Sequence, residues 1–401
     1  MVALKPSASL VALPFFAACL VLCAPAHGQS VRGSLGAETQ IYPDAPLYPD
    51  QNRDHVQVST YATLNASADV GNARFDMELF GRIAPDATKE ASGDVRQAFV
   101  RVPFGNAEVK AGILTEKWGV LEAWNPVDII NQSDLIEDFQ GKVKLGQPGV
   151  LMTLPLGDAT VSFFGTNVAR SRRFRQDEDR FQVLPARVVD EHFEGGRSSP
   201  TGAIRVELPI GPVNVAVSQF IGTAREPVLT AVVGPTGLEG FRASYERISQ
   251  TSFEAALVLG DSVIKTEVIH QRTNEGASWG GGVGIETSFS KIANGPGDLT
   301  LYAEAYGDSR ADDAAVTPFQ RDVFLGARYT FNDTDDTLLE LRNTHDLEWG
   351  SDLIELRASR RVLQDAVFTF SLLKVANEDR DPALSSLSRD TQIKLQLAHF
   401  F

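Results

Sequence analysis

The segment Thr391-Gln392-Ile393-Lys394-Leu395-Gln396-Leu397-Ala398-His399-Phe400-Phe401 decides how the whole chain is read. Ile393, Leu395, Leu397 and Phe401 fall on one face, with Gln392, Lys394, Gln396 and Ala398 on the other, a period of two that only a strand sorts. Such a strand lies between an apolar medium and water. An edge strand of a soluble sandwich carries the same alternation, but it rarely ends its chain on an aromatic residue. Working outward, the pattern recurs. Leu299, Leu301, Ala303 and Ala305 oppose Thr300, Tyr302, Glu304 and Tyr306; Leu339 and Leu341 oppose Glu340, Arg342 and Thr344; Ile354, Leu356 and Ala358 oppose Glu355, Arg357, Ser359 and Arg361.

The ending resembles the closing strand of bacterial outer-membrane β-barrels, whose terminal Phe is read by the assembly machinery. His399 stands where that pattern prefers an aromatic or aliphatic residue. The resemblance implies an all-β fold, a transmembrane antiparallel up-and-down β-barrel, and the lack of a globular region before Val31 leads us to expect no plug domain. Its partners would be outer-membrane lipid, lipopolysaccharide and the assembly machinery.

Residues 1–28 read as a secretory signal, with Lys5 near the start, an apolar run from Leu10 to Cys23 and small residues around Ala24 to Gly28; residues 29–401 are then the barrel. Phe16-Ala17-Ala18-Cys19 loosely resembles a lipoprotein cleavage box, with Phe in place of Leu. Both cysteines, Cys19 and Cys23, fall inside the signal, which leaves the exported part without a thiol for disulfides, metal or catalysis. After it, no apolar run reaches the roughly 18 residues of a spanning helix, so a helical membrane protein is excluded. A formal charge of −15, from 52 acids and 37 bases, argues against a nucleic-acid partner.

Counted as up and down strands, the alternating runs are 31–42, 55–69, 73–83, 95–102, 107–114, 149–156, 159–168, 203–208, 213–220, 241–259, 263–271, 279–289, 299–306, 322–330, 338–346, 353–362, 367–375 and the final segment. That predicts about 18 strands, or 16 if the less regular runs are loops. The stretch 227–233 reads as a loop hairpin. Short connections rich in Gly, Asp, Asn and Pro alternate with long polar ones, as between the two ends of an outer-membrane barrel.

One face of these strands carries Arg74, Asp76, Glu78, Glu108, Lys110, Arg205, Glu207, Lys265, Glu267, Glu304, Arg328, Glu340, Arg342, Glu355, Arg357, Arg361 and Lys394. Charges turned toward a dry core cost several kcal/mol each, so a set this large predicts water beside it. A barrel of about 16–18 strands is wide enough for an aqueous lumen, whereas eight are filled by side chains. For any single member of the set, a cross-strand ion pair that tolerates a wet interior is the preferred reading, while the set as a whole still means a water-filled interior.

The longest organised connection begins Trp118-Gly119-Val120-Leu121-Glu122-Ala123-Trp124-Asn125-Pro126-Val127-Asp128 and continues through Ser133, Asp134, Glu137, Asp138 and Phe139. It holds two of the four tryptophans. A loop this long and apolar is expected to fold against or into the barrel. Ser133 is a candidate N-cap for a short helix over 134–139. The position of the loop resembles the constriction loop of porins, which narrows the pore and sets which solutes pass. Its Trp-Gly followed by Asn-Pro-Val-Asp also resembles a poorly characterised family of proteobacterial outer-membrane barrels, over about thirty residues, and that likeness brings no substrate. Packing of Trp118 and Trp124 onto the wall or the aromatic girdle is the plainer reading of the two indoles. Acids Glu116, Glu122, Asp128, Asp134, Glu137 and Asp138 outnumber Lys117, Lys142 and Lys144, which predicts a slight cation preference. The basic cluster Arg170, Arg172, Arg173 and Arg175 is expected to pair with Asp177, Glu178 and Asp179, to bind lipopolysaccharide phosphates, or to attract anionic solutes.

Gly260-Asp261-Ser262 and Gly307-Asp308-Ser309 are better explained by turn chemistry than by an esterase nucleophile block, and 332–336 lacks the Gly and terminal Glu of a calcium loop. No cofactor or metal is expected. The sequence therefore reads as a channel for small hydrophilic or amphipathic solutes and not an enzyme. Two alternatives stand beside it: an outer-membrane hydrolase, which by resemblance needs only about 12 strands, and a closed barrel acting in adhesion or lipid interaction.

Overall fold

Eighteen antiparallel strands close on themselves because the last pairs with the first. This is a computed structural model describing residues 27–84, 92–175, 179–235, 237–292, 295–310, 315, 317, 319–378 and 380–401. Of the expected signal, residues 1–26 with both cysteines lie outside the described residues, and His27 and Gly28 open the first strand. In chain order the strands are β1 (His27–Ile41), β2 (Val56–Val70), β3 (Ala73–Ile83), β4 (Ser92–Phe104), β5 (Ala107–Leu114), β6 (Gln147–Leu156), β7 (Ala159–Thr166), β8 (Val188–Phe193), β9 (Thr201–Ile210), β10 (Val213–Thr223), β11 (Val228–Gly234) and β12 (Gly237–Tyr245). They continue as β13 (Arg247–Leu259), β14 (Ser262–Arg272), β15 (Ala277–Phe289), β16 (Asp298–Asp308), β17 (Asp322–Thr330), β18 (Leu338–Asp346), β19 (Asp352–Leu363), β20 (Ala366–Ala376) and β21 (Gln392–Phe400). All but β8, β11 and β12 belong to the barrel.

The seam follows from the closing segment. Registers run from Ser34 opposite Phe400 to Ile41 opposite Ile393. Beyond the strand, Gly33 N donates to Phe401 O at 2.9 Å and Phe401 N returns to Gly33 O at 3.0 Å. The Phe401 ring lies over Gly33 so closely that a Cβ there would stand 2.5 Å from it. Outward positions around the wall are apolar and exposed, among them Val31, Leu35, Phe163, Val217, Phe253, Val283, Leu301 and Leu341. No helix among the described residues is long and apolar enough to cross a membrane, and the crossing elements are the strands.

Two readings of the sequence are corrected here. The run 241–259 is not one strand: β12 lies in a separate sheet and β13 in the wall, with Glu246 between them outside any strand. The break is fixed by Tyr245, fully buried and stacked on Phe193 at 4.5 Å. Together β8, β11 and β12 form a small separate sheet at the long-loop end, which includes the expected 227–233 hairpin and a parallel pair, β8 with β12. Second, 134–139 is not helical. Ser133 bridges to Lys144 and Asp134 to Arg173, and a single turn follows, closed by Asp138 N on Asp134 O at 3.1 Å. Asp134, not Ser133, caps that turn, its Oδ1 accepting from Ile136 N at 3.3 Å.

Candidate functional site

The connection 115–146 leaves β5 and runs inside the barrel, held by two apolar clusters and two buried carboxylates. Trp118, 7% exposed, packs with Phe99, Leu114, Leu151, Phe164 and Phe220, inward residues of β4, β5, β6, β7 and β10. The Arg205 guanidinium lies 5.4 Å from its ring. An indole buried to this degree stabilises by about 2–3 kcal/mol. It is the start of the segment that is fixed in this way.

Further round the wall stands Glu267 of β14, fully buried. Its Oε1 accepts from Val120 N at 2.6 Å, Leu121 N at 2.9 Å and Asn125 Nδ2 at 3.0 Å, and its Oε2 from Val127 N at 3.3 Å. Gly119 has φ +106°, and a Cβ on it would stand 2.7 Å from Glu267 Oε1, so the chain closes over the carboxylate only through glycine. Glu304 of β16 repeats the device, accepting from Glu122 N at 2.8 Å and Ala123 N at 3.0 Å. Tyr306 donates its hydroxyl to Glu304 and accepts from Trp124 N at 3.2 Å. Trp124 stacks on Phe319 at 5.3 Å. Between these strands, β15 offers Gly282, where a Cβ would stand 2.5 Å from Tyr306 and 2.9 Å from Leu121; the missing side chain is the space the segment occupies.

The segment then turns back. Gln250 donates to Pro126 O at 3.3 Å, and the buried Arg225 donates to Ile129 O at 3.1 Å and Ile130 O at 2.8 Å. With no ion-pair partner among the described residues, Arg225 has its guanidinium pushed down to about 10 by burial. Asp128 accepts from Trp118 N at 3.3 Å and pairs with Lys144 at 3.4 Å. Asp134 pairs with Arg173 at 3.0 Å, Glu137 takes Arg82 of β3 at 3.1 Å and Ser92 of β4 at 2.7 Å, and Asp138 accepts from Lys142 N at 2.7 Å. Most acids of the segment are thus engaged.

Directly opposed residues carry one inner face round the wall, for example Arg101 with Lys110, Ser162 with Arg205, Arg328 with Glu340, and Arg342 with Glu355. The wall residues divide into several groups along it. Arg74 pairs with Asp76 at 3.0 Å, Arg101 with Asp76 at 3.8 Å and Glu108 at 3.7 Å, and Arg96 with Glu78 at 3.6 Å. Lys110 holds Glu116 at 3.0 Å, Arg205 holds Glu207 at 3.3 Å and also Glu254, Lys265 holds Glu286, and Lys394 lies 3.9 Å from Glu38. Arg328 and Arg342 converge on Glu340 and on Glu122 of the segment. Glu355 and Arg357 make no ion pair among the described residues. Arg361 sits at the short-turn rim on Asp336, at 2.7 Å. Glu267 and Glu304 face inward but are covered by the segment instead of water.

Members of the basic cluster reach partners elsewhere in the chain. Arg170 takes Asp94 at 2.8 Å, Arg172 reaches Glu226 at 3.9 Å, and Arg175 donates to Ile136 O at 2.9 Å. Asp177 and Glu178 lie outside the described residues. What sequence reasoning missed was the partners: Glu38, Arg82, Asp94, Arg225 and Glu226. Their only signal was charge at inward or loop positions.

On the long-loop side of the segment is a cavity of about 720 Å³, lined by nine acids and seven bases, with Lys117 and Lys142 exposed in it. A second cavity of about 370 Å³ lies toward the short turns beside Arg74, Asp76 and Glu78. They share no lining residue.

Burial alone would raise the Glu226 carboxyl, but Arg310 and Arg172 hold it below the usual carboxylate range. A depressed carboxylate stabilises fully above its ordinary pKa of 4.5 and loses that contribution as pH falls through the lower, folded value. Hydrogen-exchange protection at 224–227 is therefore expected to hold from pH 7 to about 4.5 and to collapse below it. Protection that declines steadily from neutral pH would contradict this.

No family model and no curated protein sequence matches the chain. Solved structures do. OccD3 of Pseudomonas aeruginosa aligns over 94% of this chain and 91% of its own at 12% identity, TM-score 0.52. OpdQ of the same organism aligns over 93% and 96% at 9% identity, TM-score 0.51. Wzi of Escherichia coli, an outer-membrane protein involved in group 1 capsule assembly and described as a carbohydrate-binding β-barrel, aligns over 99% and 89% at 12% identity, TM-score 0.53. The shared feature is the porin-like outer-membrane β-barrel fold, which supports an outer-membrane location.

Proposed function

We propose that this chain is an outer-membrane channel through which small hydrophilic or amphipathic solutes diffuse, with Trp118–Phe139 as its constriction. The observation that carries the reading is a wide, 18-stranded wall whose inner face is charged along its length, with one long connection clamped across it by Glu267 and Glu304. A wall of this circumference leaves a lumen that side chains alone do not fill. The count of 18 strands favours this reading over an outer-membrane hydrolase, which by resemblance needs only about 12. Solutes would enter from the 720 Å³ cavity, past Glu122, Lys142 and Arg342 of its lining.

Refolded protein in a planar bilayer under a salt gradient tests this. Stable open steps with a small cation preference are expected, since acids exceed bases around the outer cavity by only two. Correctly folded protein that never conducts would overturn the channel and leave a closed barrel acting in adhesion or lipid interaction.

A further inference from the structure

We propose that the outward face of β17–β20, at the long-loop end, binds the head group of an outer-leaflet glycolipid, a disaccharide carrying a phosphate at each end as in lipopolysaccharide. The proposal needs the outer-membrane barrel and not the channel. Leu341 of β18 is exposed on the outer wall, so Asn343 and His345, two and four positions on, share its face. Asp352 of β19 stands directly opposite His345, and Lys374 of β20 shares a row with Ile354 and Asn343. Arg321 precedes β17 by one residue. Its carbonyl accepts from Leu347 N at 2.7 Å, which extends the ladder one row beyond Asp322 and Asp346 and puts Arg321 on the outer face. Lys374 and Arg321 are both exposed, and neither makes an ion pair among the described residues.

Charge on a lipid-facing wall is tolerated near the interface, where long basic side chains reach the head groups. The other side of the seam does without it. On β1, β2, β3 and β5 the last outward positions at this end are Ile41, Val56, Ile83 and Ile113. On β17–β20 the charges follow an order: a cation on β17, the His345–Asp352 pair in the middle, a cation on β20. The middle is held as a unit, with Asp352 Oδ1 accepting from His345 Nδ1 at 3.0 Å and Asn343 Nδ2 at 3.3 Å, and Oδ2 from Asn377 Nδ2 at 3.1 Å. The two cations are three strand spacings apart, about 14 Å, a span that suits two phosphates better than one. A head group with its charges at the ends and hydroxyls between them matches that order, whereas a single phosphate does not. Directly below, Leu341, Leu356 and Leu372 form one outward row against which acyl chains pack. Glu348 and Glu378 belong to the connections beyond the strand ends.

The test uses refolded full-length protein in detergent and lipid A with two phosphates as the probe, with native mass spectrometry to count retained lipid. Lipid A with one phosphate, phosphatidylglycerol and inorganic phosphate are the controls. Two-phosphate lipid A is expected to be retained in preference to phosphatidylglycerol. Lys374→Ala and Arg321→Ala should each weaken it about tenfold and the double variant about a hundredfold, since each removes one charge-assisted contact at a separate end. Lipid A with one phosphate should bind the parent about tenfold more weakly, and one of the two single variants should then show no further loss. That comparison on the parent needs no variant to fold. Arg272→Ala, on the outer face of β14, should change nothing. Unchanged retention in the folded double variant, an equal loss in Arg272→Ala, phosphatidylglycerol held as well as lipid A, or displacement of the lipid by equimolar inorganic phosphate would overturn the site. Because retention is read without conduction, a barrel that holds the lipid but never conducts sinks the channel and spares the site. A barrel that conducts and shows none of these effects does the reverse.

Discussion

Replacing Glu267 by alanine is expected to add frequent transitions to a larger conductance, and replacing Glu267 and Glu304 together to make the larger state the stable one. The reason is local. Four donors of the inserted segment, three of them backbone N–H groups, end on the one carboxylate of Glu267, and two more backbone N–H groups end on Glu304. A buried hydrogen bond contributes about 1 kcal/mol net, and donors left buried without a partner resist its loss further. Losing Glu267 therefore costs the closed position on the order of 4 kcal/mol, enough to shift a segment held by only a few anchors by about a thousandfold. Trp118 on the near wall, Trp124 on Phe319 and the Arg225 clamp remain, so the single variant flickers while the double variant opens. Glu267→Gln keeps one acceptor oxygen but turns an amide NH₂ toward donors, and should fall between. Deleting 120–138 removes the clamped stretch outright and should match the double variant. Single-channel recording in planar bilayers reads all four. Unchanged conductance in the folded double variant would mean that the segment does not limit the pore.

This clamp shows where the sequence stops being legible. Alternation over β16, β18 and β19 gave the strands and their inner faces directly, because each side chain's medium is written every second residue. Partners are not written that way. Glu267 is plainly inward-facing, yet nothing near it says that its donors come from residues 120–127, some 140 positions earlier. The apolar inner strip was hidden for a related reason. In β7 Phe163 and Phe164 are adjacent, one outward and one inward, so a ring that packs the segment looks like a slip in the lipid-facing pattern. The run 241–259 failed differently. Both β12 and β13 are genuine strands, and only the burial of Tyr245 against Phe193 tells that the chain changes sheets at Glu246. Likewise Arg170, Arg172 and Arg173 read as a local cluster because the acids they meet, Asp94, Glu226 and Asp134, lie 39 to 76 positions away or in another loop.

Gly33→Leu is expected to impair closure of the barrel far more than its position on an exposed face suggests. A closed sheet has no edges, and it stays closed only while first and last strands remain paired. Here the pairing continues one residue past β21, through two Gly33–Phe401 backbone hydrogen bonds of 2.9 and 3.0 Å, and the ring folds back over the glycine. Any Cβ at 33 would stand 2.5 Å from the ring, so the ring must leave or the strands must part. Displacing it forfeits its packing and strains both bonds, about 1–3 kcal/mol by the usual cost of overfilling a tight contact. That cost falls on the seam, where opening begins. Refolded Gly33→Leu should lose its compact, heat-modifiable form on unheated gels at a temperature well below that of the parent. Deleting Phe401 in the Gly33→Leu background should then cost little more, because both changes abolish the same contact and their effects cannot add. Fully additive losses would show that Phe401 stabilises the barrel through contacts other than the one with Gly33.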